Sequence, residues 1–225
     1  MSEIPQGAIR FNTDSQRLEF YAQGEWWVMS TDTPNLGRGV DSTPGPRGLF
    51  FGGSTPSNSD TIDYINIASV GDAQDFGNLE VATDWPAACA SSTRGIAAGG
   101  RTPSNIDTIQ FVTIASTGDT TDFGNLTSAK REMGGCGNET RGLFGGETLG
   151  GSDDIEYVTI ASEGNAVDFG NLIQAHDGAA SFSSTTRGVW AGGEGPAPYP
   201  ALTAIQYVYI ASLGNATKYG DLSAA

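Results

Sequence analysis

The single histidine of the chain, His176, stands beside Asp177 in the stretch LIQAHDG, a pairing of types that can move a proton near neutral pH. One imidazole cannot build a His-based zinc cluster, and a nucleophile triad would have to route through this ring alone. No G-x-S-x-G turn or H-E-x-x-H pair accompanies it, and the glycine-rich GGCGNETRG lacks the lysine and following helix of a phosphate cradle. His176 and Asp177 are therefore expected to form a structural loop pair. Carboxylates recur beside glycine turns, Asp72 with Asp75 and Asp119 with Asp122, which is the oxygen-donor chemistry that calcium uses. The corresponding pairs farther on are Asn165 with Asp168 and Asn215 with Lys218, and a cation in a ligand position argues for turn-capping side chains instead. Cys89 and Cys136 fall at the same place in consecutive copies of a repeat, usually too far apart for a disulfide, and are expected as small buried apolar residues. Lys130 and Lys218 are expected at the surface. No catalytic residue, metal or cofactor is expected, and the chain is not expected to be an enzyme.

The elements that carry these residues repeat. Arg47, Arg94, Arg141 and Arg187 each precede a glycine and follow one another at intervals of 47, 47 and 46 residues. Each opens a short apolar run that closes on a glycine pair, RGLFFGG, RGIAAGG, RGLFGG and RGVWAGG, with Gly53, Gly100, Gly146 and Gly193 marking its end. A polar loop follows, then a segment such as DTIQFVTIASTGDTTDFGNL. Ile62 and Tyr64 point one way from that strand while Ile65 and Ile67 point the other, as do Ile109 and Phe111 against Val112 and Ile114. Such a sheet must be covered on both faces. Gly71, Gly118, Gly164 and Gly214 are expected to supply the positive φ of a turn, and DFGNL or KYGDL an edge strand. PAACASSTRG, GGCGNETRG and AASFSSTTRG read as a strand of small residues and a tight turn leading into the next arginine. The four arginines, one per unit at a hairpin, point to a shared structural hydrogen bond or salt bridge. Each unit is thus a four-stranded meander, and closing four of them into a propeller leaves no apolar face in water.

Composition agrees with an all-β chain. Among 225 residues, 32 are glycine and 38% are hydrophobic, while 26 acids outweigh 11 Lys and Arg for a formal charge of -15. That charge repels phosphate backbones and anionic head groups, so neither nucleic acid nor a membrane surface is expected as a partner. The opening MSEIPQGAIRFNTD lacks a basic and apolar leader, and no run is long enough to span a bilayer, so a soluble protein made in a cytoplasm is expected.

Residues 1–36 obey another rule. AIRFNT, RLEFYA and EWWVMS read as a three-stranded meander in which Ile9, Phe11, Leu18, Phe20, Trp26 and Val28 share a face. So small a sheet is marginal alone, and Phe20, Trp26 and Trp27 are the expected oligomer or attachment surface. Across the repeats, the loops after the glycine pairs vary most. EGPAPYPALTA is the longest, and its Pro196, Pro198, Tyr199 and Pro200 are the candidate contact residues.

The glycine pairs, the Tyr-containing strands and the aromatic plus Leu before each next unit resemble the kelch-type propeller repeat over residues 37–225, with units near 37–83, 84–130, 131–175 and 176–225. The chain has Phe76, Phe123, Phe169 and Tyr219 where that family usually has Trp. GAIRFNTDSQRLEFYAQGEWW is similar to a short module near the ends of bacteriophage fibre and other virion proteins. Together the two parts resemble virion structural proteins of phages that infect marine cyanobacteria. The resemblance implies a virion component, a tail fibre or fibre tip or alternatively a head-decoration or head-fibre protein. Its partners would be other virion proteins, further copies of itself, with a trimer favoured, and a host-surface glycan or protein. From a different class, a propeller-type glycan-active enzyme would need clustered acids, Tyr or His at the ring's mouth, which the loops do not supply.

Overall fold

A computed structural model describes residues 4–12, 17–28, 47–147 and 151–224. The boundary expected at 36/37, the turn at 14–16 and part of the third repeat's loop, 148–150, lie outside the described residues. The chain divides into two compact units, Met1–Gly45 and Pro46–Ala225.

The first unit is a three-stranded antiparallel sheet, β1 (Ile9–Asn12), β2 (Arg17–Ala22) and β3 (Glu25–Val28). Gln23 and Gly24, both at positive φ (53° and 86°), make the two-residue turn between β2 and β3. That turn pairs Ala22 with Glu25 and hence Phe20 with Trp27 and Tyr21 with Trp26. Ile9, Phe11, Leu18, Phe20 and Trp27 therefore share one face. Trp26 and Val28 lie on the other, which corrects the expected single face of Phe20, Trp26 and Val28.

The second unit is an array of antiparallel sheets. The first repeat shows three strands among the described residues, β4 (Arg47–Phe51), β5 (Thr61–Asn66) and β6 (Gln74–Asn78). The second has four, β7 (Ala87–Ala90), β8 (Arg94–Ala98), β9 (Thr108–Thr113) and β10 (Thr121–Asn125). The third runs β11 (Gly134–Gly137), β12 (Arg141–Gly145), β13 (Asp154–Thr159) and β14 (Val167–Asn171). The fourth is β15 (Ala180–Ser183), β16 (Arg187–Ala191), β17 (Ala204–Tyr209) and β18 (Thr217–Asp221). Each repeat is an up-and-down meander with its edge strand bulged at the aromatic that precedes the glycine of FGN or its counterpart, Phe76, Phe123, Phe169 or Tyr219.

Both faces of a sheet are apolar, and successive sheets cover one another. The forward face of the first repeat (Ile62, Phe76, Leu79) packs on the rear face of the second (Ala97, Val112). Ile109, Phe111 and Phe123 meet Phe144, Val158 and Ile160 in the same way, and Ile155, Phe169 and Leu172 meet Trp190, Val208 and Ile210. Burying a Phe or Leu side chain this fully stabilises by roughly 1.5–3 kcal/mol, so these three junctions are the core.

The first strands of neighbouring repeats also come close. A Cβ on Gly135 of β11 would lie 2.4 Å from the carbonyl oxygen of Ala88 in β7, which is why β7 and β11 are built of Ala, Gly and Cys alone.

The four sheets do not close on themselves within the described residues. Phe76, Phe123 and Phe169 are each 2% exposed, but Tyr219, their counterpart in the fourth repeat, is 64% exposed. At the other end Phe50 is 55% exposed, while its counterparts Ala97, Phe144 and Trp190 are buried. Covering each sheet on both sides is satisfied inside the array and left open at its two ends.

Gly135→Ala is expected to force the first strands of the second and third repeats apart and to cost about 1–3 kcal/mol of unfolding free energy. Gly71→Ala, where an added Cβ meets nothing within 4 Å, is the control and should change the denaturation midpoint little.

Candidate functional site

The repeated arginines sit at the start of β4, β8, β12 and β16, and three of them reach into the next repeat. Arg47 donates to the carbonyl of Ile114 (2.6 Å), Arg94 to that of Ile160 (3.0 Å) and Arg141 to that of Ile210 (2.8 Å). Each guanidinium also lies over an aromatic ring of its own sheet, Tyr64, Phe111 or Tyr157. Among the described residues Arg187 has no following sheet, and it donates instead to the hydroxyl of Tyr209 (3.0 Å), which holds that phenol below its ordinary pKa.

The acid pairs beside the glycine turns do backbone work. Asp119, Asn165 and Asn215 accept the N–H of Asn78, Asn125 and Asn171 in the preceding edge strand, at 2.8, 3.0 and 3.1 Å. Gly118, Gly164 and Gly214 donate to the carbonyls of Phe76, Phe123 and Phe169. All three have positive φ, whereas Gly71 does not, contrary to the expectation for all four. Gly71 belongs to the first repeat, which among the described residues has no preceding edge strand to pair with. Among the described residues no group of three or more His, Cys, Asp or Glu could hold a metal ion.

The glycine pairs are displaced in one repeat. Gly52, Gly99, Gly146 and Gly192 are equivalent, each donating its N–H to the carbonyl of Thr61, Thr108, Asp154 or Ala204. The next position is Gly53, Gly100, Glu147 and Gly193, so Gly146 does not correspond to Gly53, Gly100 and Gly193 as the letters of the motif imply. In the third repeat the second glycine of the letter pair, not the first, makes the turn, because Gly145 still belongs to β12.

A buried polar slot, four residues after each edge-strand leucine, went unread in the sequence. It holds Thr83, Lys130 and His176, none more than 2% exposed. Lys130 is thus enclosed rather than at the surface, and its ammonium is 2.5 Å from the Glu156 carboxylate of the next strand pair, itself 2% exposed. Glu156 also accepts the N–H of Thr127 (2.7 Å), a place taken by Gln110 toward Glu80 and by Gln206 toward Ile173. The two ring nitrogens of His176 have no hydrogen-bond partner among the described residues. Burial pushes its pKa below the ordinary imidazole value, against a smaller opposing pull from Asp177. Cys89 and Cys136 are free and buried, and burial pushes the Cys136 thiol up to about 12 and that of Cys89 higher still. Neither is a thiolate nucleophile near neutral pH.

Among the described residues, two surfaces besides the open ends of the array are exposed to partners. The first is the loop of the fourth repeat, where Pro196, Pro198, Tyr199 and Pro200 are all exposed. The loop is closed by Gly195 donating to the carbonyl of Pro200 (2.9 Å), and Tyr199 stands at its tip with φ of 63°. The second is the apolar face of the N-terminal sheet, where Ile9 is 65%, Phe11 58%, Leu18 41%, Phe20 36% and Trp27 49% exposed. The opposite face is mixed: it carries Tyr21, Trp26 and Val28 beside a polar cluster in which Arg10 and Asn12 both bond Glu19 and Arg10 lies 4.1 Å from the centre of the Trp26 ring. The hydrogen bond from Asn12, then that from Arg10, holds the Glu19 carboxyl below its usual range. Phe20 and Trp27 are thus brought together, and Trp26 is engaged elsewhere.

The sequence matches no protein-family model and no curated protein.

Two measurements follow from this geometry. Arg141→Met should lose about 1–2 kcal/mol of stability, combining a hydrogen bond to a carbonyl with a ring contact, and Arg187→Met should lose less. For His176 the unfolded ring gains a proton near pH 6.5 while the buried ring stays neutral, so the unfolded state binds more protons and stability falls as pH drops through that value. Chemical denaturation at pH 7.5 and 5.5 should show this loss in the wild type, and His176→Gln should lack that component.

Proposed function

We propose that the chain is a structural, non-enzymatic component of a bacteriophage particle, a tail fibre or fibre-tip protein. In this reading the N-terminal sheet joins it to other virion proteins and to further copies of itself, with three copies favoured. The repeats are blades of the kelch type, and they present loops to a host-surface glycan or protein. The observation that carries the reading is the apolar face of Ile9, Phe11, Leu18, Phe20 and Trp27, every one at least 36% exposed. Five large apolar side chains on so small a sheet are an interaction surface by their hydration cost alone. The resemblance of GAIRFNTDSQRLEFYAQGEWW to the fibre-end module supports the same assignment. In the repeats, the polar side chains that recur from copy to copy bond to the neighbouring sheet, which supports a scaffold rather than a reacting centre. The loop that departs from the pattern puts Tyr199 at an exposed tip, a side chain that contacts sugars and proteins with little loss of entropy.

Antibody labelling of purified particles in the electron microscope tests the assignment. Label on tail appendages is expected, label on the capsid overturns the tail assignment, and particles without label overturn the virion reading. The double variant Phe20→Ser, Trp27→Ser should fail to enter particles while the melting transition of the repeats is unchanged, and Trp26→Ser should be incorporated more nearly as the wild type is.

A further inference from the structure

We infer that the array joins end to end with a second copy of the chain, the forward face of the fourth repeat seating on the rear face of the first repeat of its neighbour. This does not rest on the virion reading, and it uses a different surface from the N-terminal sheet.

The argument is that the chain already shows what covers such a face. Each of its three internal junctions has the same parts. An edge-strand aromatic and leucine are buried against the next sheet, an arginine reaches an isoleucine carbonyl, and a glycine N–H and an Asp or Asn side chain of the next turn bond the edge strand. The two ends hold the two halves of a fourth junction. The fourth repeat offers Tyr219 and Leu222, 64% and 40% exposed, and Arg187 with no carbonyl from a following sheet. The first repeat offers Phe50 and Ile67, 55% and 64% exposed, together with Gly71 and Asp72, the counterparts of Gly118 and Asp119. The Ile67 carbonyl stands where those of Ile114, Ile160 and Ile210 receive an arginine.

The glycines make the case independently. Inside the chain the edge-strand glycine makes room for the next turn. A Cβ on Gly77 would lie 2.3 Å from the Gly118 oxygen, and Gly124 and Gly170 stand 2.5 Å from those of Gly164 and Gly214. Gly220 is the same position in the fourth repeat, and nothing lies within 4 Å of its added Cβ. On the rear face, Gly95, Gly142 and Gly188 receive Leu49, Cys89 and Cys136 of the preceding sheet at 2.4–2.8 Å, yet Gly48 of the first repeat meets only the side chains of Ile65 and Ile67. Among the described residues, neither end has an occupant from its own chain for its cradle. A second copy supplies both occupants at once.

The contact is heterologous, so copies joined this way close into a ring if the rotations sum to a full turn and otherwise extend as a filament. Two copies joined at both ends form the smallest ring, with eight repeats.

Sedimentation of the full chain tests this with two blocked proteins. Phe50→Asp with Ile67→Asp blocks the rear end, and Gly220→Val with Tyr219→Asp blocks the forward end; all four positions are at open faces, and an unchanged melting transition verifies folding. The wild type is expected to sediment as a dimer or longer species. Made in the Phe20→Ser, Trp27→Ser background, which removes association through the N-terminal sheet, each blocked protein alone should be monomeric, and an equimolar mixture should regain a one-to-one complex, because each retains the half that the other lacks. A monomeric wild type at tens of micromolar, blocked proteins that associate as the wild type does, or a mixture that fails to recombine would each overturn the inference. Phe20→Ser with Trp27→Ser separates the two surfaces, since it should leave end-to-end association intact.

Discussion

A sheet that is apolar on both sides cannot be left half in water, and nearly every feature of the repeat array follows from that constraint. One meander of this kind would expose the ring of Phe123 and the side chain of Ile109 on one side and Val112 on the other. Stacked, all three are less than 4% exposed. Stability then resides in the junctions rather than in any sheet, as in other repeat architectures, where a unit is stable because its neighbour covers it. The polar groups obey the same logic. The backbone N–H just past each edge strand would be stranded by close stacking, and it is accepted by a Gln or Glu side chain from the following sheet.

Junctions of one backbone design accept different side chains because volume is exchanged across them. The rear-face residue grows from Ala97 to Phe144 to Trp190. Trp190 fits because the third repeat has glycine at 134 and 145, where added Cβ atoms would lie 2.5 and 3.2 Å from its indole. The indole N–H then donates to the Gly134 carbonyl at 3.0 Å, so the largest buried side chain leaves no donor unpaired. High glycine content in this protein is a packing property as much as a turn property.

Much of this was legible in the sequence, because a period of two over six residues, apolar at both phases, is a direct record of two covered faces. The two-faced strands came from that pattern, the interval between repeats from the spacing of Arg47, Arg94, Arg141 and Arg187, and the small-residue first strands from the stretches that precede each arginine. The faces of the tryptophans did not, although the signal was present: taking Gln23 and Gly24 as a two-residue turn pairs Ala22 with Glu25 and so sets Trp27, not Trp26, opposite Phe20. The offset of Gly146 was hidden because the letters GG recur while the strand before them keeps a constant length of five residues. Lys130 was unreadable in principle from local pattern, since its partner Glu156 lies 26 residues away on another sheet. Ring closure depends on the rotation between sheets, which no linear pattern encodes.

The buried slot shared by Thr83, Lys130 and His176 shows how near-identical sheets differ at their junctions. Thr83 offers a hydroxyl that bonds backbone carbonyls, and the sheet that follows supplies the neutral Gln110 at the neighbouring level. Lys130 is charged, and the following sheet supplies the carboxylate of Glu156. His176 is held neutral, and the following sheet again supplies a neutral group, Gln206. Only at the second junction do the slot residue and the acceptor bond directly, Lys130 to Glu156, although they belong to different repeats. Exchanging the third and fourth sheets would face Lys130 with Gln206 and leave Glu156 without its cation, and a buried charge stripped of its partner costs several kcal/mol. Apolar packing makes the sheets stack, and the buried Lys130–Glu156 pair adds a charge-matched contact at the junction of the second and third sheets.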